Sequence, residues 1–164
     1  MIEGSILYNI KDGHCFILLV GRITYKISSN FDDFVRQILK KENIDSFLID
    51  LRQTEHIDST GLGLLAKIAI HSSQNNKDQP IIVSNNEDIN IILDSMGFFD
   101  VFLIIESFSE FSSHFEDISS TFQINVEKTK TILQAHEALM FLNQKNKDIF
   151  QDVVVLLKDE LEEN

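Results

Sequence analysis

Ile57-Asp58-Ser59-Thr60-Gly61-Leu62-Gly63-Leu64-Leu65 changes character at Asp58. Upstream, Phe47-Leu48-Ile49-Asp50-Leu51 is a short apolar run of strand length. Downstream, Leu65, Ile68 and Ala69 recur on one face at helical spacing. The polar residues between them therefore make a strand-to-helix turn. Asp and Ser are favoured there because a side-chain oxygen can accept one of the first amide hydrogens of the helix, which have no partner inside it. A hydroxyl at such a turn is expected at the surface.

Working outward, the same alternation continues. Ile6, Tyr8 and Ile10 alternate with polar neighbours, as in a strand with one buried face. Asp12-Gly13 predicts a type I′ hairpin, and Cys15 to Val20 returns as a strand buried on both faces. Phe31, Phe34, Val35, Ile38 and Leu39 mark an amphipathic helix, with Ser28, Ser29 or Asn30 as its cap. Beyond the central turn, Ile81-Ile82-Val83 is a strand. Asn85 or Asn86 caps a helix carrying Ile89, Ile92, Leu93 and Met96, which ends at Gly97. Phe102 to Ile105 predicts the last strand, and Phe108, Phe111, Phe115 and Ile118 a further helix. The order β-β-α-β-α-β-α-β-α predicts an α/β fold, a mixed β-sheet covered by helices.

Twenty-six acidic against fourteen basic side chains give a net charge of -12 on 164 residues. Nucleic acid and anionic membrane surfaces are disfavoured partners, because phosphate contacts need clustered Lys and Arg. The longest apolar run, Cys15 to Val20, is far too short to span a bilayer, and the first residues do not read as a signal peptide. A cytoplasmic protein is expected. One cysteine, Cys15, permits no intramolecular disulfide and no Cys-rich zinc site. His14, His56, His71, His114 and His136 are scattered without metal-ligand spacing. No cofactor or metal is expected. A hydrolase elbow would need Gly-x-Ser-x-Gly around Ser59, and Ile57 stands where the first glycine belongs. No phosphate-binding loop of Walker type occurs.

Asp58-Ser59-Thr60-Gly61-Leu62-Gly63, preceded by the strand Phe47 to Leu51 and followed by Met96-Gly97-Phe98, resembles the STAS domain of bacterial anti-sigma factor antagonists. The resemblance covers about residues 4 to 118. It implies a non-enzymatic phosphorylation switch. The serine after the aspartate, here Ser59, is the implied phosphoacceptor, and Asp58, Ser59, Thr60, Gly61 and Leu62 are the implied partner-binding residues. The unphosphorylated form would sequester an anti-sigma factor, and a serine kinase and a phosphatase would set the state. Physically, a phosphate there adds about -1.5 to -2 charge where a helix N-terminus tolerates it. Members of the family often carry Gly-(Glu/Asp)-(Ile/Leu)-Asp at the end of the second strand, an acidic pair that helps engage the kinase. Here the segment is Gly21-Arg22-Ile23-Thr24, so a different regulator is implied, such as a response regulator with kinase or phosphatase activity. The alternative reading is a STAS accessory subunit of a membrane transport system without a phosphoswitch. An enzyme using Asp58 and Ser59 is a third.

After Gly97 neither Gly nor Pro recurs, which favours helix. The expected division is a STAS domain over 1–120 and a helical extension over 121–164. Ile132, Leu139, Asn146 and Val153 fall at heptad a, and Ala135, Leu142, Ile149 and Leu156 at d. That seam suits self-association or a second partner through residues 127–164. Docking of the helix on its own domain is equally consistent with the pattern, as is a break between Asn143 and Lys147 that folds the segment into a hairpin.

Overall fold

Residues 3–109, 114–121 and 127–163 are described by the computed structural model of the protein. Strands β1 (Ser5–Lys11) and β2 (His14–Ile23) form the hairpin, with Asp12 at φ 52° and Gly13 at φ 81° as a type I′ turn requires. Helix α1 (Ser28–Leu39), strand β3 (Ser46–Ile57), helix α2 (Ser59–Gln74), strand β4 (Ile81–Val83), helix α3 (Glu87–Ser95) and strand β5 (Leu103–Ile105) follow. A short strand β6 (Glu116–Asp117) completes a six-stranded sheet among the described residues, in the order β5-β4-β3-β2-β1-β6. Strands β2 to β5 run parallel, while β1 is antiparallel to both of its neighbours. This is the expected α/β architecture with a mixed sheet.

Strand β3 runs six residues beyond the predicted Leu51, straight into the turn at Asp58. Thr54 and Ile57 are buried while Gln53 and Glu55 are exposed, so this more polar part of the strand still sends two side chains inward. Its ladder with β2 shifts register between Leu18 and Val20, and the Thr54 hydroxyl donates to the Leu19 carbonyl at 2.8 Å. The side chain thus supplies the partner that the irregularity removes.

Two local expectations are corrected. The helix predicted from Phe108 to Ile118 is replaced, in its described part, by β6 and the short helix α4 (Ile118–Thr121); Phe111 lies outside the described residues. The cause is tertiary. Glu116 pairs with Tyr8 across the edge of β1, the Tyr8 hydroxyl donates to Glu116 Oε2 at 3.0 Å, and Asn9 Nδ2 donates to the His114 carbonyl at 2.7 Å. An unpaired sheet edge offers backbone partners that a short polar segment accepts. The second correction is at α1, whose N-cap is Ile27 with no side-chain bond. A single 3-10 turn, Tyr25–Ile27, feeds the helix instead, and Ser28 Oγ donates to the Tyr25 carbonyl at 2.6 Å.

The extension is two helices, α5 (Lys128–Leu142) and α6 (Gln144–Glu163), broken at the fully extended Asn143. The continuous heptad helix is not formed. Asn143 Oδ1 accepts from the Asn146 amide at 2.8 Å and so caps α6. Asn146, read as a coiled-coil register residue, is instead buried at the hinge, donating to the carbonyls of Met96 and Leu139 at 2.9 Å each. Contacts Leu139–Asn146, His136–Phe150 and Glu137–Lys158 spread apart in opposite chain directions, so the pair is an antiparallel hairpin. Phe150 and Val154 face inward, whereas Ile149, Val153 and Leu156 of the supposed seam face solvent.

The core is continuous across the expected domain boundary. Ile17, Phe34, Ile49, Leu65 and Ile68 belong to the same buried cluster as Ala135, Leu139 and Phe150. Cys15 lies in this core, and burial pushes its thiol up to about 12, so it remains protonated and a poor nucleophile.

Candidate functional site

Asp58 organises the turn. Its amide donates to the Ile23 carbonyl at the end of β2 (3.0 Å), and its own carbonyl accepts from the Leu62 amide (2.9 Å). The carboxylate is divided between two elements: Oδ1 accepts from the Gly61 amide at 2.9 Å, capping α2, and Oδ2 accepts from the Tyr25 amide at 2.8 Å. One side chain thereby ties the helix start to the turn after β2. Asp58→Ala removes both bonds and is expected to destabilise the protein by about 2 kcal/mol in urea unfolding. Asp58→Asn, which keeps one acceptor, should lose less; equal losses would show that the second bond contributes nothing.

Ser59 is the first residue of α2 and is half-buried, not exposed as expected. The reason is a group the sequence did not associate with it. His136 of α5 places Nε2 2.9 Å from Ser59 Oγ. On the far side of the ring, Nδ1 lies 2.7 Å from the Ile132 carbonyl. A carbonyl only accepts, so Nδ1 carries the proton, and in the neutral ring Nε2 accepts the Ser59 hydroxyl hydrogen. The ring is further held edge-on by Phe150, with centroids 5.2 Å apart. His136 is nearly fully buried. Seventy-seven residues separate it from Ser59, so no spacing motif could have linked them. His56, close to Ser59 in sequence, instead sits opposite Arg22 in the β2–β3 ladder.

Of the other implied partner-binding residues, Asp58 is half-buried and Gly61 packs against Ile23 and Ile57. Thr60, Gly61 and Leu62 are buried, and α5 crosses α2 just beyond them. At the crossing the Gly63 Cα faces the Ala135 backbone, with which any Cβ at position 63 would collide. A second anchor lies along the same interface. Asp32 of α1, with no exposed surface, accepts from Lys67 of α2 at 3.0 Å and from Thr131 of α5 at 3.0 Å. Arg36 pairs with Asp32 at 3.1 Å and donates to Gln134 of α5 at 2.8 Å.

Arg22, in the segment that departs from the acidic pattern, is exposed, and Thr24 Oγ1 accepts from the Lys26 amide at 3.4 Å to cap the 3-10 turn. His71, at the opposite end of α2, has its pKa lowered by partial burial and by Lys77. Among the described residues, no three His, Cys, Asp or Glu side chains are grouped to hold a metal ion, and no helix is long and apolar enough to cross a membrane.

The STAS domain family matches residues 5–112, two-thirds of the chain and the whole unit that presents Ser59. The protein is a member of the STAS domain family. Its fold resembles solved structures of anti-sigma factor antagonists. SpoIIAA in its unphosphorylated form aligns with a TM-score of 0.54 at 10% identity, over 63% of this chain and 89% of that one. The phosphorylated form of the Bacillus cell fate determinant SpoIIAA aligns at 0.52 and 11% identity, over 63% and 92%. An anti-sigma factor antagonist from Mycobacterium paratuberculosis aligns at 0.52 and 16%, over 64% and 87%. Comparison with curated proteins finds no match. In this STAS domain the α5–α6 hairpin lies beyond the segment matched by the family.

Proposed function

We propose that this STAS domain is a cytoplasmic, non-enzymatic anti-sigma factor antagonist whose binding face is switched by phosphorylation of Ser59. The observation that carries the reading is the placement of the Ser59 hydroxyl at the first position of α2, behind the Asp58 cap, within a STAS domain. A phosphate at that position gains from the positive end of the helix dipole and adds charge and bulk to the face formed by Asp58, Thr60, Gly61 and Leu62. The unphosphorylated face binds an anti-sigma factor; a serine kinase and a phosphatase set its state. Arg22 and Thr24 stand where acidic residues would engage the kinase, which favours a different regulator, such as a response regulator.

An enzymatic role for the Ser59–His136 pair is disfavoured by the same geometry. The amides of Gly61 and Leu62 are already engaged by Asp58, so neither is available to an oxyanion. The division of labour we propose is a STAS domain over 1–120 and a regulatory extension over 121–164. For self-association the extension offers the exposed Ile149, Val153, Val155 and Leu156 of α6 and Phe141 of α5.

Phosphopeptide mapping of the chain recovered from its native cells is expected to place phosphate on Ser59. Ser59→Asp should weaken anti-sigma factor binding by about tenfold or more, and Ser59→Ala should retain it. Phosphate at another residue, or equal affinity of the three forms, contradicts the reading.

A further inference from the structure

We infer that the α5–α6 hairpin is an intramolecular cap on Ser59, and that the closed hairpin and a phosphorylated Ser59 exclude one another. The inference rests on Ser59 as the phosphoacceptor and adds how that site is controlled.

The argument begins with space. Phosphorylation replaces the Ser59 hydroxyl hydrogen by the terminal phosphoryl group of a nucleoside triphosphate. The Oγ–P bond forms as the β,γ-bridging P–O bond breaks, releasing the nucleoside diphosphate and the hydroxyl proton. In the closed chain an imidazole nitrogen stands 2.9 Å from Oγ, where the phosphorus and its oxygens must be placed. The ring cannot retreat: Phe150 flanks it, Nδ1 is bonded to Ile132, and Ala135 holds α5 against Gly63. Protonation of His136 would offer the phosphate a donor but would create no room. A kinase meets the same ring, because the phosphoryl donor must approach the oxygen that is hydrogen-bonded to His136.

The hairpin shares the core through Ala135, Leu139 and Phe150, but its attachment is not apolar alone. Its interface with α1 and α2 mixes apolar packing of Leu133, Ala138 and Leu139 with polar anchors that water can replace: Thr131 and Gln134 on Asp32, Arg36 and Lys67, and His136 on Ser59. It meets α2 at Ser59, through His136, and at Gly63, through Ala135, on either side of the residues proposed to bind a partner. Closing therefore shields Ser59 from a kinase; opening frees it, and phosphate then holds the chain open.

The test is amide hydrogen exchange on the full chain, with phosphoserine installed at position 59 during translation. The expected result is exchange about a hundredfold faster across α5 and α6, with protection in β2, β3 and β4 unchanged. Unchanged protection in α5 would overturn the inference. So would protection lost equally from the sheet, because phosphate would then unfold the domain and not the hairpin. Gly63→Ala provides a neutral second route: its added methyl should open the hairpin without charge and give the same local pattern. If that variant unfolds, the phosphoserine chain alone decides. Because the phosphate is supplied without a kinase, a chain that opens in this experiment but carries no phosphate in its native cells refutes the proposed function and leaves the cap intact.

Discussion

Asp32→Ala is expected to lower the unfolding free energy by about 3 kcal/mol, read from the urea midpoint at unchanged slope. The carboxylate of Asp32 has no exposed surface and receives Lys67, Arg36 and Thr131 from three helices. Removing it leaves the Lys67 ammonium, only 20% exposed, beside the Thr131 hydroxyl without their common acceptor. The loss stays at the lower end for a broken buried pair because Arg36, 37% exposed, can turn to water. Asp32→Asn keeps the volume and one acceptor for Thr131 and should lose less. A change below about 1 kcal/mol for the alanine variant would mean that water replaces the carboxylate and that the three helices are held by apolar contacts alone.

Phe34→Ala should be more damaging, by about 4 kcal/mol. Phe34 projects from α1 into the centre of the core, fully buried, with its ring 5.0 Å from that of Tyr8 on β1. No element can swing in to fill the space of a lost ring at the middle of a helix–sheet interface. The two variants should differ in kind as well as in size. In hydrogen exchange, Phe34→Ala should accelerate the whole sheet, because the core is lost with it. Asp32→Ala should act first on α5 and α6, whose attachment it weakens. Uniform acceleration in both would show that the hairpin and the sheet open as one cooperative unit.

What the sequence determined alone lies within a few residues of each signal. Asp12-Gly13 makes the hairpin turn because only residues tolerant of positive φ fit there. Asn86 caps α3 by accepting from the Asp88 and Ile89 amides, and Asp58 caps α2 from three residues away. Helical periodicity in the apolar residues placed α1 and α2, and short continuous apolar runs placed β2 and β4. The STAS signature at Asp58 to Gly63 is itself local.

Tertiary structure alone decided the rest. Glu116 joins the sheet because β1 has a free edge, a condition that nothing near Glu116 encodes. The break at Asn143 carries no Gly or Pro. It forms because Asn143 and Asn146 can satisfy the helix ends, and because Phe150 and Val154 gain burial against α5 that a straight helix could not give them. Above all, the meeting of Ser59 with His136 depends on Gly63 letting two helix backbones approach. Periodicity marks that α5 has an apolar face; it carries no information about which helix the face meets. Only the packed chain places a histidine on the hydroxyl of Ser59.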